Sequence, residues 1–261
     1  MTRVLSGAVL LVFAVAVVWF SPPVLFFAIA ELLLLLGLVE YMAIARVSGL
    51  PVPALPSGVA AMLTCAAFSR GVAVPIDVVL MSALVALGAL TLTVWNGGRD
   101  ALGLASASLF PSLYLGLPIG ALVAIREMRG RDALFLLMLT VIASDTAQYY
   151  SGRAFGRRRL APAISPKKTV EGAVGGLVSG ALVCAVIGAL WLPVVPFVLR
   201  AAIGVMIVAL GIAGDLFESM LKRSAGVKDS SSLIPGHGGI LDRIDALLFA
   251  APVYYVVLKY V

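Results

Sequence analysis

The residues able to do chemistry gather in two polar stretches of an otherwise apolar chain. The later stretch runs from Asp215 to Asp245. Asp215 and Ser219 are four apart, and Asp242 and Asp245 three apart, so on helices each pair shares a face. Carboxylates in apolar surroundings are costly unless paired or metal-bound. Several acids converging on one place suit a hard divalent cation, most naturally Mg2+. Ion pairs with Lys222, Arg223 and Arg243 meet the same cost, and spacing alone does not separate the two readings.

Between these acids, Gly236, Gly238 and Gly239 flank His237 in a run unsuited to helix. Glycine lets backbone amides approach a ligand and form an anion-binding nest. Lysine and arginine beside such a loop suit phosphate, although an ordinary turn between helices has the same composition. His237, the single histidine of the chain, could shuttle a proton, bind a phosphate or orient an acid. A structural role is the alternative. The earlier stretch, Asp145 to Glu171, contains a triple arginine (Arg157 to Arg159) that reads as a topology anchor. It also contains Ser165-Pro166-Lys167-Lys168-Thr169, which reads as a phosphate-binding loop leading into a helix N-terminus, itself a source of amide donors. Asp145, at the end of its apolar segment, could join a metal site.

The elements that must position these groups are membrane helices. Of 261 residues 62% are apolar and only 12% are charged, against about 25% charged in a typical soluble domain. Mean hydropathy is +1.10. This excludes an ordinary soluble enzyme, a disordered chain and a fibrous repeat. A hydrocarbon core of about 30 Å takes about 20 helical residues, and lipid leaves backbone groups no partner outside the helix itself. The apolar runs predict nine spans, at about 4–20, 24–45, 54–69, 74–95, 102–125, 133–150, 170–191, 196–216 and 244–260. The fold class expected is therefore an all-α polytopic membrane protein. Its N-terminal half would be residues 1–125, and its C-terminal half, 126–261, would carry both polar stretches. Cys65 and Cys184 lie in apolar runs and read as packed thiols.

Loop charges supply an orientation. Arg3, Arg46, Arg99, Arg153, Arg157, Arg158, Arg159, Lys167, Lys168, Lys222, Arg223, Lys228 and Arg243 fall on one side, 13 of the 19 cations. The positive-inside rule puts that side, with the N-terminus and both polar stretches, in the cytoplasm of a multi-pass protein of the cell membrane. The formal net charge of +6 follows from these loops and suits an anionic substrate; no nucleic-acid partner is expected. Gly172, Gly176 and Gly180, four apart, permit close helix approach, either within one chain or in a homodimer.

The stretch from Ser219 to Asp245 resembles the signature of the phosphatidate cytidylyltransferases, also called CDP-diacylglycerol synthases. Ser219 is followed by Lys222-Arg223, Lys228-Asp229, Pro235-Gly236-His237-Gly238-Gly239 and Asp242-Arg243-Ile244-Asp245. The Ser165 to Gly172 run and Asp145-Thr146 are similar to that family as well. The resemblance covers motifs across roughly the last 120 residues, while the first 125 match only as a hydrophobic half. It implies that CTP and phosphatidic acid give CDP-diacylglycerol and pyrophosphate, with one or two Mg2+ ions at the site. It implies that Asp215, Asp242 and Asp245 hold the cation, with Asp145 as helper. It further implies that Lys167, Lys168, Lys222, Arg223, Lys228 and Arg243 bind phosphates. Ser165, Thr169, Ser219, Asp229, His237, Gly238 and Gly239 would then support loop or ligand.

Two rival readings differ in class. A transporter also breaks helices with charge, but its sites lie near the midplane and repeats are usual, neither of which this sequence shows. Another CTP-dependent lipid enzyme, such as a polyprenol kinase, shares the substrate chemistry.

Overall fold

The computed structural model describes residues 2–95, 97, 100–234, 236 and 238–261, with side chains from residue 7 onward. Arg99 and His237 lie outside the described residues, as does the side chain of Arg3.

Prolines set where several helices begin. Pro22, Pro53, Pro75 and Pro196 each hold an N-cap position with φ between −58° and −69°, and they precede α2 (Pro23–Val47), α3 (Ala54–Ala66), α4 (Ile76–Val94) and α8 (Phe197–Ser224). A proline there loses no helical hydrogen bond, because its missing N–H would have no partner anyway. The other helices are α1 (Thr2–Phe20), α5 (Ala101–Pro111), α6 (Leu117–Phe155), α7 (Val170–Trp191) and α9 (Leu241–Tyr260).

The expected helices at 102–125 and 133–150 follow one another with a single non-helical residue, Gly130, between them. A π-helical turn, Ser112–Gly116, joins α5 to α6 just after Pro111. A run of 55 residues is about 80 Å long, far beyond one bilayer crossing. The break comes at Gly130, where φ of 83° and ψ of 178° need a residue without a Cβ. Arg126 and Arg131, on either side of it, both donate to carbonyls at the end of α1. Further out, Tyr114 and Asp145 both come within electrostatic reach of the Asp215–Asp245 region. The chain therefore reverses at Gly130, with no loop.

Five runs are long and apolar enough to cross a membrane: Pro23–Val47, Ile76–Val94, Ala101–Phe155, Val170–Trp191 and Phe197–Ser224. Large apolar side chains such as Val12, Leu84, Leu92, Val186 and Val198 stand exposed along α1, α4, α7 and α8, as suits a lipid-facing surface rather than a wet one. The core packs α2, α6, α8 and α9 around Leu34, Leu115, Ile119, Leu137, Ile207, Leu241 and Tyr254. The glycine ladder serves packing within the chain. A Cβ at Gly172 or Gly176 would strike Gln148 of α6, and one at Gly180 would strike Val208 of α8.

One element departs from the all-α expectation. Between α6 and α7 the chain forms an antiparallel hairpin of β1 (Arg159–Ala161) and β2 (Ser165–Thr169), pairing Arg159 with Thr169 and Ala161 with Ser165.

Candidate active site

The site forms where the ends of α2, α6, α8 and α9 and the start of α7 meet. Four residues per turn bring Asp215, Glu218, Ser219 and Lys222 to one side of α8. Lys222 is buried and its ammonium pairs with two carboxylates, Glu218 one turn back and Asp242 in the first turn of α9. Glu218 is 1% exposed and accepts no hydrogen bond beyond that ion pair. Lys222 is thus the internal counter-charge of these two carboxylates.

Asp242 is the organiser of the loop between α8 and α9. One of its oxygens, Oδ2, accepts from Ser230 N at 3.0 Å, Ser230 Oγ at 2.8 Å and Gly239 N at 2.7 Å, and the other meets Lys222. Its Oδ2 is therefore held by the loop, while Oδ1 has Lys222 alone among the described residues. Gly238 and Gly239 are glycines for a packing reason. Gly238 has φ of 80°, and a Cβ at Gly239 would collide with Ser230 and with Glu40 of α2.

Asp215 stands on the other side of the cluster. Lys168 of β2 reaches it at 2.5 Å, and Ser219 Oγ donates to it at 3.3 Å. Both partners of the Lys168–Asp215 pair are partly exposed. Asp145 is exposed, accepts from Gln148 Nε2 at 3.1 Å, and lies within electrostatic reach of Lys168, Asp215 and Arg243. Asp245 is half-buried near Asp215, Glu218 and Asp145. Asp145, Asp215, Glu218, Asp242 and Asp245 are five carboxylates, and Lys168 and Lys222 are the two ammoniums paired with them.

The run Ser165 to Thr169 is a strand, not a loop. Alternation sends Lys167 outward, where it is exposed, and Lys168 inward to Asp215. Thr169 is the N-cap of α7 and accepts from Gly172 N at 3.1 Å. Glu171 accepts from the amides of Arg157 and Arg158 and so closes the hairpin. Arg223, Lys228, Asp229 and Arg243 are exposed, and Arg223 donates to the carbonyl of Val227. Among the described residues no three acids, cysteines or histidines gather into a metal-ligating group.

Three participants were not singled out from sequence. Glu218 was visible as the acid four residues before Lys222. Glu40 was visible as one of two acids inside the otherwise apolar α2, where an ionisable residue asks for a partner. Tyr114 carried no signal; its buried hydroxyl, without a hydrogen-bond partner among the described residues, lies in the π-helical turn within the field of Glu218 and Asp245.

Fold and site together define a multi-pass helical membrane protein with an acid-rich ionic cluster built at helix ends. The whole chain, residues 1–261, matches the family model described as "Cytidylyltransferase family", and the chain belongs to that family. It is 48% identical over 135 residues to the phosphatidate cytidylyltransferase of Haemophilus influenzae, a match spanning 46% of the chain and 44% of the relative. It is 41% identical over 151 residues to that of Bacillus subtilis, spanning 56% and 55%. It is 46% identical over 127 residues to an uncharacterised Escherichia coli protein, YnbB, spanning 49% and 42%. The chain spans about half the length of these curated relatives.

Proposed function

We propose that this chain transfers the cytidylyl group of CTP to phosphatidic acid, forming CDP-diacylglycerol and releasing pyrophosphate. A phosphate oxygen of the lipid attacks the α-phosphorus of CTP, a new P–O bond forms, and the bond to the β-phosphate oxygen breaks. Support comes from the family and from relatives whose names state this reaction. One structural observation carries most weight: an acid cluster with more carboxylates than ammoniums, with Lys167, Arg223, Lys228 and Arg243 exposed on the same segments. Such phosphoryl chemistry rests chiefly on positioning and charge neutralisation.

The excess of acid fits a cation that arrives with the triphosphate. Mg2+ is commonly held by one or two carboxylates together with substrate phosphates, so a three-residue protein cage is not required. Asp215, Asp242 and Asp245 would hold it, with Asp145 beside them; Asp242 also holds the loop through Oδ2. The cation, one or two in number, would neutralise charge on the attacking and leaving oxygens. Exposed Lys167, Arg223, Lys228 and Arg243 would bind phosphate, and Lys168 would exchange its Asp215 partner for a substrate oxygen.

In the proposed orientation the nine helical segments among the described residues, counting the Gly130 reversal, place the N-terminus and the site in the cytoplasm, where CTP is found. A homodimer would need a face other than the glycine ladder, which is filled within the chain. The decisive experiment incubates purified protein with CTP, Mg2+ and phosphatidic acid in mixed micelles. CDP-diacylglycerol and pyrophosphate in equal amounts are expected. Pyrophosphate without dependence on the lipid, or no release at all, would overturn the reading.

A further inference from the structure

We infer that Glu40, in the half of the chain without catalytic motifs, is the positioning residue that fixes the Ser230–Asp242 loop for the reaction proposed above. Glu40 is 4% exposed and lies near the end of α2. Its Oε1 accepts from Ser231 Oγ at 2.6 Å and Ile240 N at 2.9 Å. Its Oε2 accepts from Ser230 Oγ at 2.8 Å and Leu241 N at 2.9 Å. All four donors belong to the loop or to the start of α9, and no lysine or arginine pairs with Glu40 among the described residues.

A buried carboxylate without a counter-ion persists only when hydrogen bonds replace its water. Here the amides at the start of α9 supply them, and the helix dipole favours the negative charge there. The arrangement fixes α9 at its first turn, where Asp242 and Asp245 project. It also links two acids through one hydroxyl. Ser230 Oγ lies 2.8 Å from both Glu40 and Asp242, and its single hydrogen serves one at a time. Gly239 completes the fit, since any Cβ there would strike Glu40.

The geometry predicts an unusual intolerance to the amide. Each Glu40 oxygen receives one backbone N–H and one hydroxyl. The hydroxyls can turn to accept, but the backbone N–H groups cannot. In E40Q, whichever way the amide is flipped, one of Ile240 N–H and Leu241 N–H faces an NH2 group.

The test compares wild type, E40Q, S231A and E31Q as purified full-length chains in detergent. Glu31 is the control, a second carboxylate of the same helix, outside the loop network. Two quantities are measured: kcat and KM for CTP with phosphatidic acid and Mg2+, and hydrogen exchange across residues 228–244. Expected for E40Q is a fall in kcat of at least thirtyfold per folded molecule, KM for CTP changed less than threefold, and at least tenfold faster exchange confined to this segment. S231A, losing one donor, should lower kcat three- to tenfold, and E31Q should match wild type. The inference is overturned if E40Q keeps kcat within twofold, or if its exchange rises evenly along the chain. Should E40Q fail to fold, S231A with wild-type kcat and exchange overturns it. A wild type with no turnover would sink the proposed reaction alone; unchanged exchange in E40Q would then overturn the anchor.

Discussion

The two ends of the helical bundle both bind charge, and they do so by opposite means. Near Gly130 the cations seek backbone. Arg126 donates to the carbonyls of Val18 and Ser21, Arg129 to Leu258, and Arg131 to Trp19. Buried Arg200 holds the carbonyls of Ala185, Leu192 and Val195. These carbonyls lie at or near helix C-termini, where orphan acceptors and the negative dipole end favour a cation. At the other end the ions seek each other. All three ion pairs among the described residues are there, and they leave carboxylates in excess. A cavity of about 360 Å3 lies at the arginine end, lined by Trp19, Pro22, Phe26, Arg126 and Arg131. What a charge binds, rather than how many charges there are, separates a structural end from a reactive one.

The comparison breaks first at Lys222. Removing its ammonium in K222M strands Glu218 and Asp242, two buried carboxylates, without a counter-ion. Loss of one partner from a buried pair costs about 3–5 kcal/mol. Thermal unfolding in detergent should show that loss, and pyrophosphate release should fall at least a hundredfold. Near-normal stability would mean the network is not the ionic core of this end. Asp215 should show the reverse balance. Its pair with Lys168 is partly exposed, so D215N should cost under about 1 kcal/mol of stability. Its turnover should fall at least a hundredfold, about 2.7 kcal/mol of transition-state stabilisation. Turnover within threefold of wild type would remove Asp215 from the chemistry.

Much of this contrast was legible in the residues, and the rest fails for identifiable reasons. Apolar runs locate the helices because each must bury or expose a whole face to lipid. Gly172, Gly176 and Gly180 announce close packing because only small side chains allow it. The motif acids converge as their spacing implies. Four things needed three dimensions. The reversal falls in the gap between the expected spans at 102–125 and 133–150, but the residues do not show that one glycine makes it without a loop. Ser165 to Thr169 reads as a loop because Pro166 and two lysines mask a short strand. The donors that Ser230, Gly239 and Lys222 bring to Asp242 leave no mark in the motif's spacing. Glu40 stands some 190 residues before its hydroxyl partners, a separation no local pattern can bridge. The Asp215–Asp245 motif points to the acids of the candidate site, whereas the contact that holds their loop comes from a helix with no motif.

Arg200 sharpens the other side of the comparison. R200M leaves the carbonyl of Val195 without its Arg200 donor in a buried setting, while that of Leu192 keeps only the Val195 amide. An unsatisfied buried group costs about 1–3 kcal/mol. The expected result is a lower unfolding temperature with kcat per folded molecule unchanged within twofold. A tenfold loss of kcat would show that the two ends are coupled through α8, which runs from Arg200 to Lys222.

The smallest effect should come from Arg131, and it isolates the chemistry most cleanly. Its guanidinium sits 4.9 Å from the centre of the Trp19 ring and donates to the Trp19 carbonyl at 3.1 Å, on an exposed surface. Exposed cation–π contacts are worth about 0.5–1 kcal/mol, so R131Q should lower stability by no more than that and leave turnover alone. Lys168 is the matched case at the other end, also a single cation in a partly exposed contact. K168Q should cost as little stability as R131Q, yet lower turnover at least tenfold, because its partner is a carboxylate of the proposed cation site rather than a finished helix end. Equal effects of the two substitutions on turnover, measured side by side, would erase the distinction between the ends.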